Sequence, residues 1–333
     1  MACSRESRGV TDRYSRQTIL PQVGAAGQAR LHEASVLVIG AGGLGSAVLQ
    51  YLSAAGVGRL VIVDQDRVEE SNLHRQPIYR MSDVGLFKAQ AARKALLDTN
   101  PGIRIDAVCE RLTPANAARW VVEVDVVVDA ADSFAVTYVA SDECYRVNKA
   151  LISASVLGLS GYVGAFCGGA PSYRAVFPEM PPQAGTCAQS GVLGTAVGVM
   201  GTLQAHMVLG LLLGLQPSML GQLVTLDFQT LRFGGFSFAA AKESSVEAIR
   251  FIAANQIAHT DVVIDLRSLK EAPVSPVAAA LRIEVDALEQ GDTKFPAGRR
   301  IVLCCRTGVR AWRAARALQR RGHENVVLIA FGD

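Results

Sequence analysis

The sequence is short of several features that would narrow its function class. Its 333 residues hold seven cysteines, at positions 3, 109, 144, 167, 187, 304 and 305. They are too few, too scattered and odd in number for a disulfide framework. Charge of one sign is also lacking: 33 Lys and Arg against 30 Asp and Glu leave a net charge of +3. That is too small to argue for a nucleic-acid partner. The opening stretch MACSRESRGVTDRYSRQ has no apolar core and does not read as a secretory signal, so a cytoplasmic location is expected. No G-x-x-x-x-G-K-[ST] occurs, which excludes a P-loop, and there is no internal repeat. Residues 191–215 contain no Asp, Glu, Lys or Arg. Their length suits a membrane span, but Gln204 and His206 interrupt the run and no Lys or Arg closely flanks it. It is read as a helix buried on all sides, in a core or a subunit interface, and no membrane is expected.

What is present is ordinary globular composition, 50% apolar and 19% charged, over a length that allows two domains. Apolar runs at 35–40, 59–64, 104–112, 124–132 and 150–157 read as strands, separated by helical segments such as 85–100. Strands rich in Val and Ile alternating with helices predict an α/β fold, a Rossmann-like, mostly parallel sheet with helices on both faces. The texture changes after 223–236. Residues 239–256 read as a helical connector, with a linker over 241–258. A smaller α/β unit follows, with strands at 261–267, 299–305 and 325–330 and a helix at 311–322. The expected division is 13–240, a linker at 241–258, and 259–333.

Gly40, Gly42 and Gly45 form G-x-G-x-x-G between a strand and a helix. Such a turn brings backbone N–H groups and a helix N-terminus to a phosphate. Asp64 ends the next strand, where a carboxylate accepts from ribose hydroxyls. These features alone suit an NAD-dependent oxidoreductase. The following stretch, DQDRVEESNLHRQ (64–76), shifts the reading. Asp66, Ser71, Asn72, Arg75 and Gln76, with Lys88 and Asp132 further on, are too polar for a nicotinamide pocket. Arg75 and Lys88 suit a triphosphate and Asp132 suits Mg²⁺.

RYSRQ (13–17), GAGGLGS (40–46), VDQDRVEESNLHRQ (63–76), Lys88 and DAADS (129–133) together resemble the MoeB/ThiF family, over residues 13–235. These are ubiquitin-activating-type adenylyltransferases. The resemblance implies Mg-ATP-dependent adenylation of the C-terminal Gly-Gly carboxylate of a small ubiquitin-like sulfur carrier. It implies that Gly40, Gly42, Gly43 and Gly45 cradle phosphate and that Asp64 holds the ribose. Asn72, Arg75 and Lys88 would bind the triphosphate, and Asp132 would hold Mg²⁺. Arg16 resembles the arginine that reaches a partner subunit's ATP, which implies a homodimer. Cys187 falls where members carry a mobile-loop cysteine implicated in covalent linkage to the carrier; a small core residue is the plainer reading. Three departures stand out. Ser133 replaces the usual Asn, and Thr137 the usual Arg. The family's two zinc-binding C-x-x-C pairs are missing: Ser172 and Ala175 occupy the first, and 240–248 has no cysteine. Zinc is expected to be absent, with that end held by packing alone.

Near the end, LCCRTGVR (303–310) resembles the active-site loop of rhodaneses, with Cys305 as nucleophile and Arg306, Thr307, Gly308, Val309 and Arg310 as the persulfide loop. Loop N–H groups and the two arginines should lower the thiol pKa. Cys304 with Arg310 gives a rival tyrosine-phosphatase spacing, disfavoured because Leu303 stands where His is usual. A rhodanese fold retained only for docking the carrier is a further alternative. Eight arginines between 299 and 321, with no acid among them, suggest either RNA binding or a solvated basic helix; the latter is adopted. The expected partners are therefore a Gly-Gly-ending carrier and a sulfur donor such as a cysteine desulfurase or thiosulfate.

Overall fold

A computed structural model describes residues 12–181, 191–243 and 248–332, apart from 276, 278, 279, 292, 294 and 297. The first unit is built on β1 (Ser35–Ile39), β2 (Arg59–Val63), β3 (Arg104–Val108), β4 (Val126–Asp129), β5 (Ala150–Leu157), β6 (Ser160–Cys167), β7 (Gln222–Asp227) and β8 (Arg232–Ser237). They form one sheet in the order β3-β2-β1-β4-β5-β6-β7-β8. The pairs from β3 to β5 are parallel and those from β5 to β8 antiparallel. The central strands are continuous apolar runs because helices cover both of their faces. The strands expected at 104–112 and 124–132 stop earlier, at Val108 and Asp129. The residues beyond these stops become the loops at the carboxyl edge of the sheet, where ligands bind in open α/β folds.

The charge-free run forms a helix, Gly194–Leu213, long and apolar enough by composition to cross a membrane. Here it lies on the sheet and against the Gly43–Ala55 helix, which it approaches closely at Gly201: a Cβ there would sit 2.5 Å from Leu44 O. Gln204 is buried and donates to the carbonyls of Asp129 at 2.7 Å and Ile152 at 3.3 Å. The polar residue that interrupts the run thus stitches the helix to β4 and β5.

The second unit contains β9 (Arg250–Phe251), β10 (Val262–Asp265), β11 (Leu281–Arg282), β12 (Ile301–Cys305) and β13 (Val326–Ala330), all parallel in the order β11-β10-β12-β13-β9. The helical connector expected over 239–256 is not found among the described residues. Arg250 and Phe251 instead add a strand beside Val327 and Leu328, and Ala254–Gln256 is a short 3₁₀ turn. The reason is long-range: Phe251 is buried in an apolar cluster shared with Leu328 and Trp312, which overrides local helix preference.

The two units share that cluster. Trp312, on the helix Val309–Arg320, lies 5.3 Å from the Tyr138 ring, on the helix Phe134–Arg146. Its Nε1 donates to Glu179 at 3.2 Å, and Arg316 Nε donates to the same carboxylate at 3.0 Å.

Candidate active sites

The glycine loop joins β1 to the Gly43–Ala55 helix. Gly40 has φ +93°, and a Cβ there would lie 2.8 Å from Ala130 O. A Cβ on Gly45 would lie 2.0 Å from Gly40 O, so helix and strand pack backbone to backbone. Gly42 is different: only the Gln76 side chain, at 3.7 Å, faces its missing Cβ. Gly43 points its missing Cβ at Val197, 2.5 Å away, so that side of it serves helix packing. The open face of the loop is therefore centred on Gly42.

Asp64 accepts from Ala41 N at 2.7 Å and from Asp66 N at 2.7 Å, which fixes it beneath the loop. Burial pushes its carboxyl above the usual range, against those hydrogen bonds and Lys88. Lys88 is buried and pairs with the exposed Asp66 at 2.9 Å. Arg75 donates from Nη1 to Ser71 O at 3.0 Å. Tyr79, which sequence reasoning missed, donates to Ala41 O at 2.7 Å and ties the loop to the segment carrying Arg75. Nothing in QPIYR marked it; only the fold brings it under the glycine turn.

Asp132 is exposed at the carboxyl edge, and Ser133 caps the Phe134–Arg146 helix beside it. Behind them Asp129 is buried, accepts from Ser153 Oγ at 2.8 Å, and is pushed up to about 6 by burial. Asn72 Oδ1, Gln76 Oε1 and Ser133 Oγ are buried without a hydrogen-bond partner. Unpaired buried polar atoms are costly. Gln76 is the one that faces Gly42, while Asn72 follows β2 and Ser133 follows β4, so all three lie beyond the carboxyl ends of these strands. Arg16 lies elsewhere. Its neighbour Gln17 donates to Ala55 O at 3.0 Å, at the far end of the Gly43–Ala55 helix. That helix has 13 residues and is about 20 Å long. Cys187 falls outside the described residues.

At the missing zinc ligands the chain makes a polar clasp. Glu243 accepts from Ser172 N at 2.6 Å and from Ser172 Oγ at 2.7 Å. Arg174 pairs with Asp142 at 2.6 Å and donates to Ile249 O at 3.1 Å. The expectation of packing alone is thus corrected: carboxylate and guanidinium bonds link this end, with apolar packing around them.

In the second unit, Cys304 and Cys305 point to opposite faces of β12, as successive strand residues must. Cys304 lies in an apolar cluster with Val263, Val302 and Ile329. Cys305 Sγ accepts from Gly308 N at 3.1 Å and Ala311 N at 3.4 Å, over the start of the Val309–Arg320 helix. The geometry therefore favours the loop that begins at Cys305 over the phosphatase spacing from Cys304. Gly308 has φ +91° and caps the helix. The expected depression of the Cys305 thiol is overturned. Its side chain is buried, and desolvation outweighs the loop N–H groups and Arg310, raising it above the ordinary thiol value. Arg310 is also drawn away: it forks onto Glu271, at 2.8 Å through Nη1. Cys304 is pushed up to about 12, chiefly by burial. The arginine-rich stretch is partly neutralised, since Arg300, Arg310, Arg313 and Arg316 pair with Asp261, Glu271, Glu289 and Glu179. That leaves less free charge for an RNA than the linear sequence suggested.

The two sites are neighbours. A Cβ on Gly308 would meet the Phe251 ring at 2.8 Å and Ala135 at 3.4 Å, and Ala135 is three residues past Asp132. An α/β unit with a glycine loop at its sheet edge, carrying a cysteine-loop unit packed against it, is the architecture of an adenylating enzyme coupled to a rhodanese-type sulfurtransferase. Residues 14–248 match the ThiF family and residues 251–332 the rhodanese-like domain; the chain belongs to the ThiF family and carries a C-terminal rhodanese-like domain. It is similar to the sulfur carrier protein adenylyltransferase of Thermus thermophilus, 46% identical over 65% of this chain and 83% of that protein. The probable adenylyltransferase/sulfurtransferase MoeZ of Mycobacterium tuberculosis is 33% identical over 98% of this chain and 92% of that one. The adenylyltransferase and sulfurtransferase MOCS3 of Bos taurus is 45% identical, over 66% of this chain but 49% of its own length. Among solved structures, E. coli MccB with ATP superposes with a TM-score of 0.60 at 21% identity, covering 72% of this chain and 74% of that one, a likeness of fold.

Proposed function

We propose that the chain activates the C-terminal Gly-Gly carboxylate of a ubiquitin-like sulfur carrier as its acyl-adenylate and then delivers sulfur to it from Cys305. In the first step a carboxylate oxygen attacks the α-phosphorus of ATP and pyrophosphate leaves. Arg75 and Lys88 would stabilise that leaving charge, and little acid–base work is needed. Asp132 would hold Mg²⁺, which when bound would neutralise charge on the phosphates. In the second step the terminal sulfur of a Cys305 persulfide attacks the acyl carbon and AMP leaves. A thiol, from Cys187 or a reductant, then attacks the Cys305 sulfur of the resulting acyl disulfide and releases the thiocarboxylate. The observation that carries this reading is the seating of Gly308 on Ala135, which puts the sulfur loop beside the adenylation site.

ATP–pyrophosphate exchange that requires a Gly-Gly-ending carrier is the expected result; exchange absent with every such carrier, or NAD binding without ATP use, would overturn the reading. Arg16 lies a helix length from its own glycine loop, which supports its acting on a second copy in a homodimer. Structural zinc is not part of the proposal, because the Ser172–Glu243 clasp stands where thiolates would. Elemental analysis finding one tightly held zinc per chain contradicts that. The carrier, the sulfur donor and a cytoplasmic setting belong to the same proposal.

A further inference from the structure

Arg111 has no role in the reading above. It lies just beyond β3, in the seam between the two units, and lines a cleft with Ala135, Phe251, Ile329 and Phe331. Its guanidinium rests on Gly332, where an added Cβ would fall 1.5 Å from Nη1. Gly332 N in turn donates to Arg306 O of the sulfur loop at 2.8 Å. Arg111 is half-buried, yet among the described residues no carboxylate lies within ion-pair distance of it. Its sequence neighbour Glu110 faces away, accepting from Asn116 at 3.1 Å and Trp120 at 2.8 Å. The acids that act on it are Asp132 and Asp66, both in the nucleotide site.

Those two acids do not balance it. Asp66 is already paired with Lys88 at 2.9 Å, and Asp132 is committed to Mg²⁺ once the metal arrives. A cation that loses solvent without gaining a counter-charge is costly. Among the described residues none supplies that anion, and Arg111 shares its cleft with Ala135, three residues past Asp132, at the edge of the candidate nucleotide site.

We propose that Arg111 is a further nucleotide-binding residue, a guanidinium whose counter-anion is the phosphate of the bound ATP and then of the adenylate. This rests on the nucleotide reading of the Gly42 site and extends it. Arginine suits the place because a planar fork binds phosphate through two donors.

The test compares the full-length wild type with Arg111→Ala, Arg111→Lys and Arg111→Met, using Mg-ATP alone as the probe. Binding is read as the ATP-induced rise in melting temperature, and KM for ATP and kcat from pyrophosphate exchange with a carrier. Arg111→Ala is expected to weaken ATP binding about tenfold or more, equivalent to about 1.4 kcal/mol. The change should fall mainly on KM, and Arg111→Lys should recover part of it. Without ATP the melting temperature of Arg111→Ala should be unchanged or higher, since an uncompensated charge has been removed. Arg111→Met keeps the packing on Gly332 and serves if the alanine variant misfolds. A lowered melting temperature without ATP, with an unchanged ATP response, shows a purely structural arginine and overturns the proposal. So does wild-type KM for ATP in all three variants. If the wild type itself gives no ATP response, the nucleotide reading fails rather than the role of Arg111.

Discussion

Asp132→Ala should abolish carrier-dependent ATP–pyrophosphate exchange, by roughly a hundredfold or more. The carboxylate is exposed at the sheet edge and, among the described residues, joins no hydrogen bond, so the variant should melt like the wild type. On the proposed reading it would lose the anchor for Mg²⁺, and with it the neutralisation of phosphate charge as pyrophosphate departs. Wild-type exchange by a correctly folded variant would sink the assignment of Asp132. The same variant tests the dimer. Arg16, which neighbours the far end of the Gly43–Ala55 helix, is proposed to act on a partner's site. Mixed dimers of Arg16→Ala with Asp132→Ala chains should contain one site with both groups intact and recover part of the exchange. Confirmed mixed dimers with no recovery would show that Arg16 does not cross the interface.

The second large effect concerns the adjacent cysteines. Cys305→Ser should keep adenylation and lose sulfur transfer from thiosulfate or a desulfurase altogether, because the two steps use different units. Cys304→Ser should leave transfer largely intact and cost stability, since it buries a hydroxyl in the apolar cluster of Val263, Val302 and Ile329. After treatment with a persulfide donor, mass spectrometry should place the added sulfur on Cys305. Sulfur on Cys304, or on neither, would overturn this. The pH dependence follows from burial. A thiol raised above its ordinary value is mostly protonated near neutrality, so alkylation of Cys305 should be slower than for a free cysteine and should climb as pH rises. Cys304, pushed up to about 12, should lag further behind. Fast alkylation of Cys305 at pH 7 would show that the docked arrangement is not the prevailing one.

The candidate nucleotide site could be read from sequence because its residues fall in short continuous stretches. Gly40, Gly42 and Gly45 announce a turn, and Asp64 through Gln76 form a continuous polar stretch that no buried strand tolerates. Cys305 was legible for the same reason, as one loop between a strand and a helix. The failures are all non-local. Residues 250–251 read as helix until Leu328 and Trp312 give Phe251 somewhere to be buried. The raised Cys305 thiol comes from burial, which outweighs the loop N–H groups and Arg310. Tyr79 and Arg111 belong to no motif; their meaning lies in what the fold sets opposite them.

The Ser172–Glu243 clasp has a consequence for sulfur traffic. Four zinc-bound thiolates would be four nucleophiles competing for any persulfide the protein carries, and an oxidant that stripped the metal would unfasten the domain. A serine and a glutamate accept no sulfur. The neighbouring Cys144 and Cys167 are fully buried with thiols pushed up, Cys167 to about 12, so near neutrality they too stay silent. With oxygen and nitrogen closing this end among the described residues, a sulfur atom carried on Cys305 as proposed would find few thiols there on which to settle.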